Sequence, residues 1–73
     1  MKHIFRQEVT YQVRPHEDEA TTKIWDTWNK GEKEEACRCA LEEYMRYDTD
    51  EPEIEGVHFI IEELEWTPIE RIG

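Results

Sequence analysis

The sequence predicts an α+β fold in the order ββαβ: a three-stranded antiparallel sheet with one helix packed on one face, in a single domain over residues 1–73. Three observations lead there. From His3 to Arg14 the residues Phe5, Val9, Tyr11 and Val13 share one parity and Arg6, Glu8, Thr10, Gln12 and Arg14 the other, the mark of a half-buried strand. Between Glu32 and Tyr47 the apolar residues Ala36, Cys37, Ala40, Leu41 and Tyr44 recur at helical spacing. Val57 to Trp66 is a run of β-branched, aromatic and aliphatic residues broken only by His58 and glutamates. Such a sheet needs a cover for its apolar face, and one amphipathic helix provides it.

The first strand ends where Pro15 removes a donor and biases Arg14 to extended backbone, and His16 to Glu19 are polar enough to turn in solvent. Residues 21–29 admit two readings. As a strand, Thr21, Thr22, Ile24, Trp25, Thr27 and Trp28 are β-branched or aromatic, although Asp26 interrupts the alternation. As a helix, Ala20, Ile24 and Trp28 fall four apart, acids at 17–19 suit a start and Gly31 suits a stop. The strand is the favoured reading, because three threonines and two tryptophans are mediocre helix formers. In the helix from about Glu32 to Tyr47, the pairs Glu34 to Arg38 and Glu42 to Arg46 stand four apart in the favourable order, each contributing about 0.2–0.5 kcal/mol. Asp48 to Glu55 carries five acids and a proline and reads as a solvated loop. In the last strand the parity of the apolar set changes near Glu62, which implies a bulge or a change from a two-sided to a one-sided environment. Thr67 to Gly73 reads as a short tail.

A chain of 73 residues buries only about 60% of its unfolded surface and keeps a stability margin of a few kcal/mol. A deep, dry catalytic cavity is hard to build at this size. Eight aromatics together with Ile4, Val9, Val13, Ile24, Leu41, Ile60, Ile61 and Leu64 are expected to fill one compact core. No apolar stretch approaches the roughly 18 residues of a membrane span and nothing resembles a signal peptide, so the expected location is cytoplasmic, with no membrane partner.

The chemistry suggested by single residues is thin. Cys37 and Cys39 stand about 200° apart around a helix, so their sulfurs diverge rather than converge on one metal ion, and packing is the expected role. The chain contains no serine, which removes a Ser-His-Asp arrangement, and His3, His16 and His58 read as surface or rim residues. Gly31, Gly56 and Gly73 are isolated and form no phosphate-cradling loop. A calcium loop beginning at Asp48 fails at Pro52, Glu53 and Phe59. No cofactor, no metal and no catalytic residue are expected.

Charge is the informative property. Of the formal net charge of -10, residues 1–41 hold 8 acids against 7 bases and residues 42–73 hold 11 against 2. Asp48, Asp50, Glu51, Glu53 and Glu55 in the loop, with Glu62, Glu63 and Glu65 beside Trp66 in the last strand, are expected to form one acidic strip bearing an aromatic. Carboxylates spaced along a rigid edge imitate nucleic-acid phosphates and attract a basic groove of another protein. The scattered, outnumbered bases Lys2, Arg6, Arg14, Lys23 and Lys30 disfavour direct binding to DNA or RNA. Of Trp25, Trp28 and Trp66, two or more are expected in the core, and one left outside would be a binding hot spot.

In length, acidity and strand-helix-strand layout, with the segment Asn29 to Ala36 opening the helix and the strand Val57 to Trp66, the chain resembles small acidic phage and mobile-element proteins that act on host machinery, of the anti-CRISPR and anti-restriction type. That resemblance implies a stoichiometric, non-enzymatic inhibitor of a nucleic-acid-handling protein and transfers no individual functional residue. The alternative expectation is a structural or regulatory homo-oligomer, possible as a homodimer, that pairs through an exposed edge strand starting at His3.

Overall fold

The computed structural model describes residues 2–73 and is α+β, with two helices and two antiparallel sheets. In chain order the elements are β1 (Phe5–Arg6), β2 (Val9–Pro15), α1 (Glu19–Trp25), α2 (Lys30–Tyr47), β3 (Glu53–Ile54), β4 (Val57–Trp66) and β5 (Glu70–Arg71). The main sheet has the order β2-β4-β3, and β1 pairs with β5 in a separate two-stranded sheet. The three-stranded antiparallel sheet therefore stands. The ββαβ order with a single helix does not, because the segment expected as the second strand is helical.

Local capping and tertiary contact together override β-propensity in that segment. Asp18 is the N-cap of α1 and accepts from the Thr21 backbone N–H at 2.8 Å, while Glu19 in the first turn pairs with Lys23 four residues on. Thr21 is fully buried, and its Oγ1 accepts from the backbone N–H of His58 at 3.3 Å. The β-branching that makes threonine a mediocre helix former is offset here by a hydroxyl that satisfies a donor of β4. Ile24 and Trp25 pack on the core, and the Trp25 ring meets Phe59 edge-on at 5.8 Å.

α2 begins two residues earlier than its apolar stripe suggests. Asn29 accepts from the Glu32 N–H at 2.8 Å and the Glu32 carboxylate accepts from the Asn29 N–H at 3.1 Å, a complete capping box that carries Gly31 inside the helix. Ala36 and Ala40 are buried, with Cys37, Leu41 and Tyr44 half-buried beside them, as the stripe predicts. The expected Glu34 to Arg38 pair is replaced: Arg38 binds Glu35 and Glu42.

The stretch Asp48 to Glu55 is not only a solvated loop. Asp48 closes α2 in the left-handed conformation, Pro52 is fully buried, and Glu53–Ile54 pair with β4. Between β3 and β4 the two-residue turn Glu55-Gly56 has φ of 48° and 89°, the positive values a tight hairpin of this length demands. A Cβ on Gly56 would lie 2.8 Å from the terminal methyl of Ile24, which can give way, so it is the positive φ that calls for glycine here.

The parity change expected in the last strand is a bulge. Tyr11 opposes Glu63 and Thr10 opposes Glu65, so Leu64 has no counterpart in β2. Beyond it the ribbon runs on into β1 and β5. Thr67 ties the joint, its N–H donating to the Glu8 carbonyl at 2.9 Å and its Oγ1 accepting from the Glu8 N–H at 2.7 Å. Residues 67–73 are thus paired chain rather than the expected tail.

The expectation of one compact core is corrected. Among the described residues the buried core is Ala36, Ala40, Val57 and Phe59, with Pro52 also fully buried, joined by half-buried Val13, Ile24, Trp25, Trp28, Cys37 and Ile54, whereas Ile4 and Leu64 are exposed. The radius of gyration is 15.6 Å, against about 11 Å for a compact chain of this length. The molecule measures 53 × 22 × 17 Å, a helix-covered body with a two-stranded arm at one end.

Candidate interaction surface

Side chains of β4 alternate between the face covered by α2 and the open face of the sheet. Tyr11, opposite Glu63, meets Tyr44 of α2 at 5.9 Å, which places Glu63 on the helix side. Glu62 opposes Gln12 on the open side, where Arg14 reaches its Oε1 at 3.3 Å. The bulge then sets Glu65 opposite Thr10, on the same open side as Glu62, and Trp66 opposite Val9 on the side of Glu63. The expected strip of Glu62, Glu63, Glu65 and Trp66 is therefore divided between two faces. Strict alternation in the sequence already separates Glu62 from Glu63; the bulge that reunites Glu62 with Glu65 requires the register.

On the helix side a smaller set converges. Burial raises the Tyr44 phenol, and Glu63, the neighbouring Tyr11 phenol, Asp48 and Asp50 raise it further, so acidic charge from β4 and from the end of α2 acts on one half-buried ring. Trp66 is 54% exposed and donates its indole N–H to Glu63 at 3.1 Å. It is the tryptophan left outside the core; Trp25 and Trp28 pack against it. Glu51 is exposed, Glu53 lies 3.8 Å from His58, and Glu55 occupies the tip of the hairpin.

A second feature was not visible in the sequence. Beside the N-terminal half of α2 runs an open groove of about 510 Å³, with Trp28, Ala36, Cys39 and Ile54 as its buried or half-buried floor and Glu32, Glu35 and Glu55 as exposed rim residues. Its walls come from the start of α2 and from the β3–β4 turn that follows the end of the same helix, and only the fold brings them together. Burial pushes the Cys37 thiol up; desolvation and then the Glu35 carboxylate push Cys39 the same way, and both cysteines are free. Neither has the depressed thiol that nucleophilic chemistry requires.

Comparison with known proteins finds no matching family model, no similar curated protein and no similar solved structure. Among the described residues, no helix is long and apolar enough to cross a membrane.

Proposed function

We propose that the protein is a non-enzymatic binding module that docks on a basic surface of a nucleic-acid-processing protein and inhibits it. What carries this reading is the exposed indole of Trp66 hydrogen-bonded to Glu63, with Glu63, Asp48 and Asp50 all adding negative charge near the half-buried Tyr44. An aromatic anchor within a charged rim is the composition of an interface hot spot, and carboxylates in that rim speed association with a basic partner through attraction that salt screens. Glu62 on the other face is held by Arg14 and contributes less.

Reversing Asp48, Asp50 and Glu63 to lysine abolishes salt-sensitive capture of a basic, nucleic-acid-handling prey from the source cell, whereas reversing Glu51, Glu62 and Glu65 leaves most of it. Equal loss from both triple variants would return the reading to diffuse charge. Capture indifferent to either variant and to salt would end it.

A second reading, self-association through a strand edge, is favoured by one observation. β2 is the outer strand of its sheet, and among the described residues no strand lies beside its other edge from Val9 to Pro15.

A further inference from the structure

The arm and the groove are complementary and lie at opposite ends of the molecule. The register runs β2 from the arm toward the body, while β3, the start of β4 and the N-terminal half of α2 lie at the far end with the groove. In the arm, Phe5 opposes Arg71 on one face, and Arg6 opposes Glu70 on the other. Phe5, Ile69 and Ile72 are 58%, 68% and 53% exposed, so the arm leaves bulky apolar groups in water, and among the described residues its main contact is between its own two strands. A two-stranded ribbon in this state is marginal on its own.

Charge selects what covers it. Residues 1–7 and 67–73 contain Lys2, Arg6 and Arg71 against Glu70, a formal +2, whereas residues 8–66 hold 18 acids against 6 bases, a formal -12. The arm is thus a net-positive, apolar segment on an otherwise strongly acidic molecule. The groove offers the converse, an apolar floor with a rim of Glu55, of Glu35, which also binds Arg38, and of Glu32, which also caps Asn29. Area agrees with this pairing: the solvent-accessible surface of 5753 Å² exceeds by about 900 Å² the value for a compact monomer of this mass, near the roughly 800 Å² each partner gives to a standard interface.

We propose that the occupant of the groove is the arm of a second copy, with Phe5 on the Trp28 and Ile54 floor and Arg71 facing Glu35 and Glu55, in a reciprocal antiparallel dimer. The two-fold arrangement satisfies both arms and both grooves at once, because the arm and groove of each copy lie at opposite ends. The inference rests on the self-association reading and moves the contact from the strand edge to the groove.

Sedimentation across micromolar to millimolar concentration tests it, with circular dichroism verifying that each variant folds. Wild type forms a dimer. Phe5→Ala, Arg71→Glu and the double variant Glu35→Lys with Glu55→Lys each weaken that dimer by about tenfold or more. Arg71→Glu leaves the Arg6–Glu70 pair of the arm intact. Mixing Arg71→Glu with the Glu35→Lys, Glu55→Lys variant restores a dimer, since each arm then meets a groove of opposite charge. Alkylation of Cys39, on the groove floor, slows as wild type dimerises. A wild-type monomer at every concentration overturns this proposal and the self-association reading together. A dimer that survives all these variants but is lost in Thr10→Pro, on the β2 edge, overturns this proposal alone.

Discussion

Thr21 and Asp18 hold α1 where β-propensity alone would have made a strand, and each makes a testable contribution. Thr21→Val keeps the shape of a fully buried side chain and removes the oxygen that accepts from the His58 N–H. The donor left unpaired costs about 1–3 kcal/mol, read as a lower urea midpoint with an unchanged slope. A midpoint equal to wild type would mean that the hydroxyl is incidental. Asp18 accepts the Thr21 backbone N–H, and this hydrogen bond holds its carboxyl below the usual aspartate range despite opposing desolvation, with His16 and His58 assisting. A carboxylate with a lowered folded pKa contributes stability that is complete above its ordinary range and lost as pH falls through the folded value. Asp18→Asn keeps an oxygen acceptor without the charge, so acid unfolding of that variant is less steep than wild type. Identical acid limbs would remove Asp18 from the account.

At the scale of elements, what the sequence reveals depends on whether the decisive contact is local. The alternation of Val9, Tyr11 and Val13 and the stripe through Ala36, Ala40 and Tyr44 are periodic, and both appear as β2 and α2. The parity change in the last strand marks a real bulge at Leu64, although its position and its effect on Glu65 follow only from pairing with Thr10 and Tyr11. Residues 21–25 mislead because the advantage of a threonine in that helix comes from His58, 37 positions away. β3 and β5 are two residues each, too short to show a period, and are defined entirely by their partners. The capping box at Asn29 was readable as Asn-x-x-Glu, and it fixes where α2 starts. Asn29→Ala removes its side-chain acceptor and costs about 1 kcal/mol, measured as a drop in Tm of several degrees for a domain of this size. Because Trp28 immediately precedes the cap and lines the groove, the same variant also alters tryptophan emission. A lower Tm with unchanged emission would separate the cap from the groove.

For the whole molecule, charge and shape were legible to different degrees. The excess of acids after residue 41 is plain in the sequence, but the assumption that they share one patch fails, because β4 sends Glu62 and Glu63 to opposite sides and the arm concentrates bases at the end farthest from the groove. The elongation could not be read at all, since alternation continuing through Phe5 looks the same whether the strand ends under a helix or beyond it. That elongation distinguishes modes of assembly. Copies that met arm to arm, end on, would form a particle roughly twice the 53 Å length of one copy. Copies that lie antiparallel, each arm across the other's groove, keep a length close to that of one copy and grow in the two short dimensions of 22 and 17 Å instead. Small-angle scattering on the dimer therefore gives twice the monomer mass with a maximum dimension close to the monomer's. Amide exchange adds a second measure: Phe5 and Arg71 exchange rapidly when the protein is dilute and slow by orders of magnitude in the dimer, while Phe59, already fully buried, changes little. A dimer near twice the monomer length, or arm amides that exchange at the same rate at all concentrations, would place the contact elsewhere on the molecule.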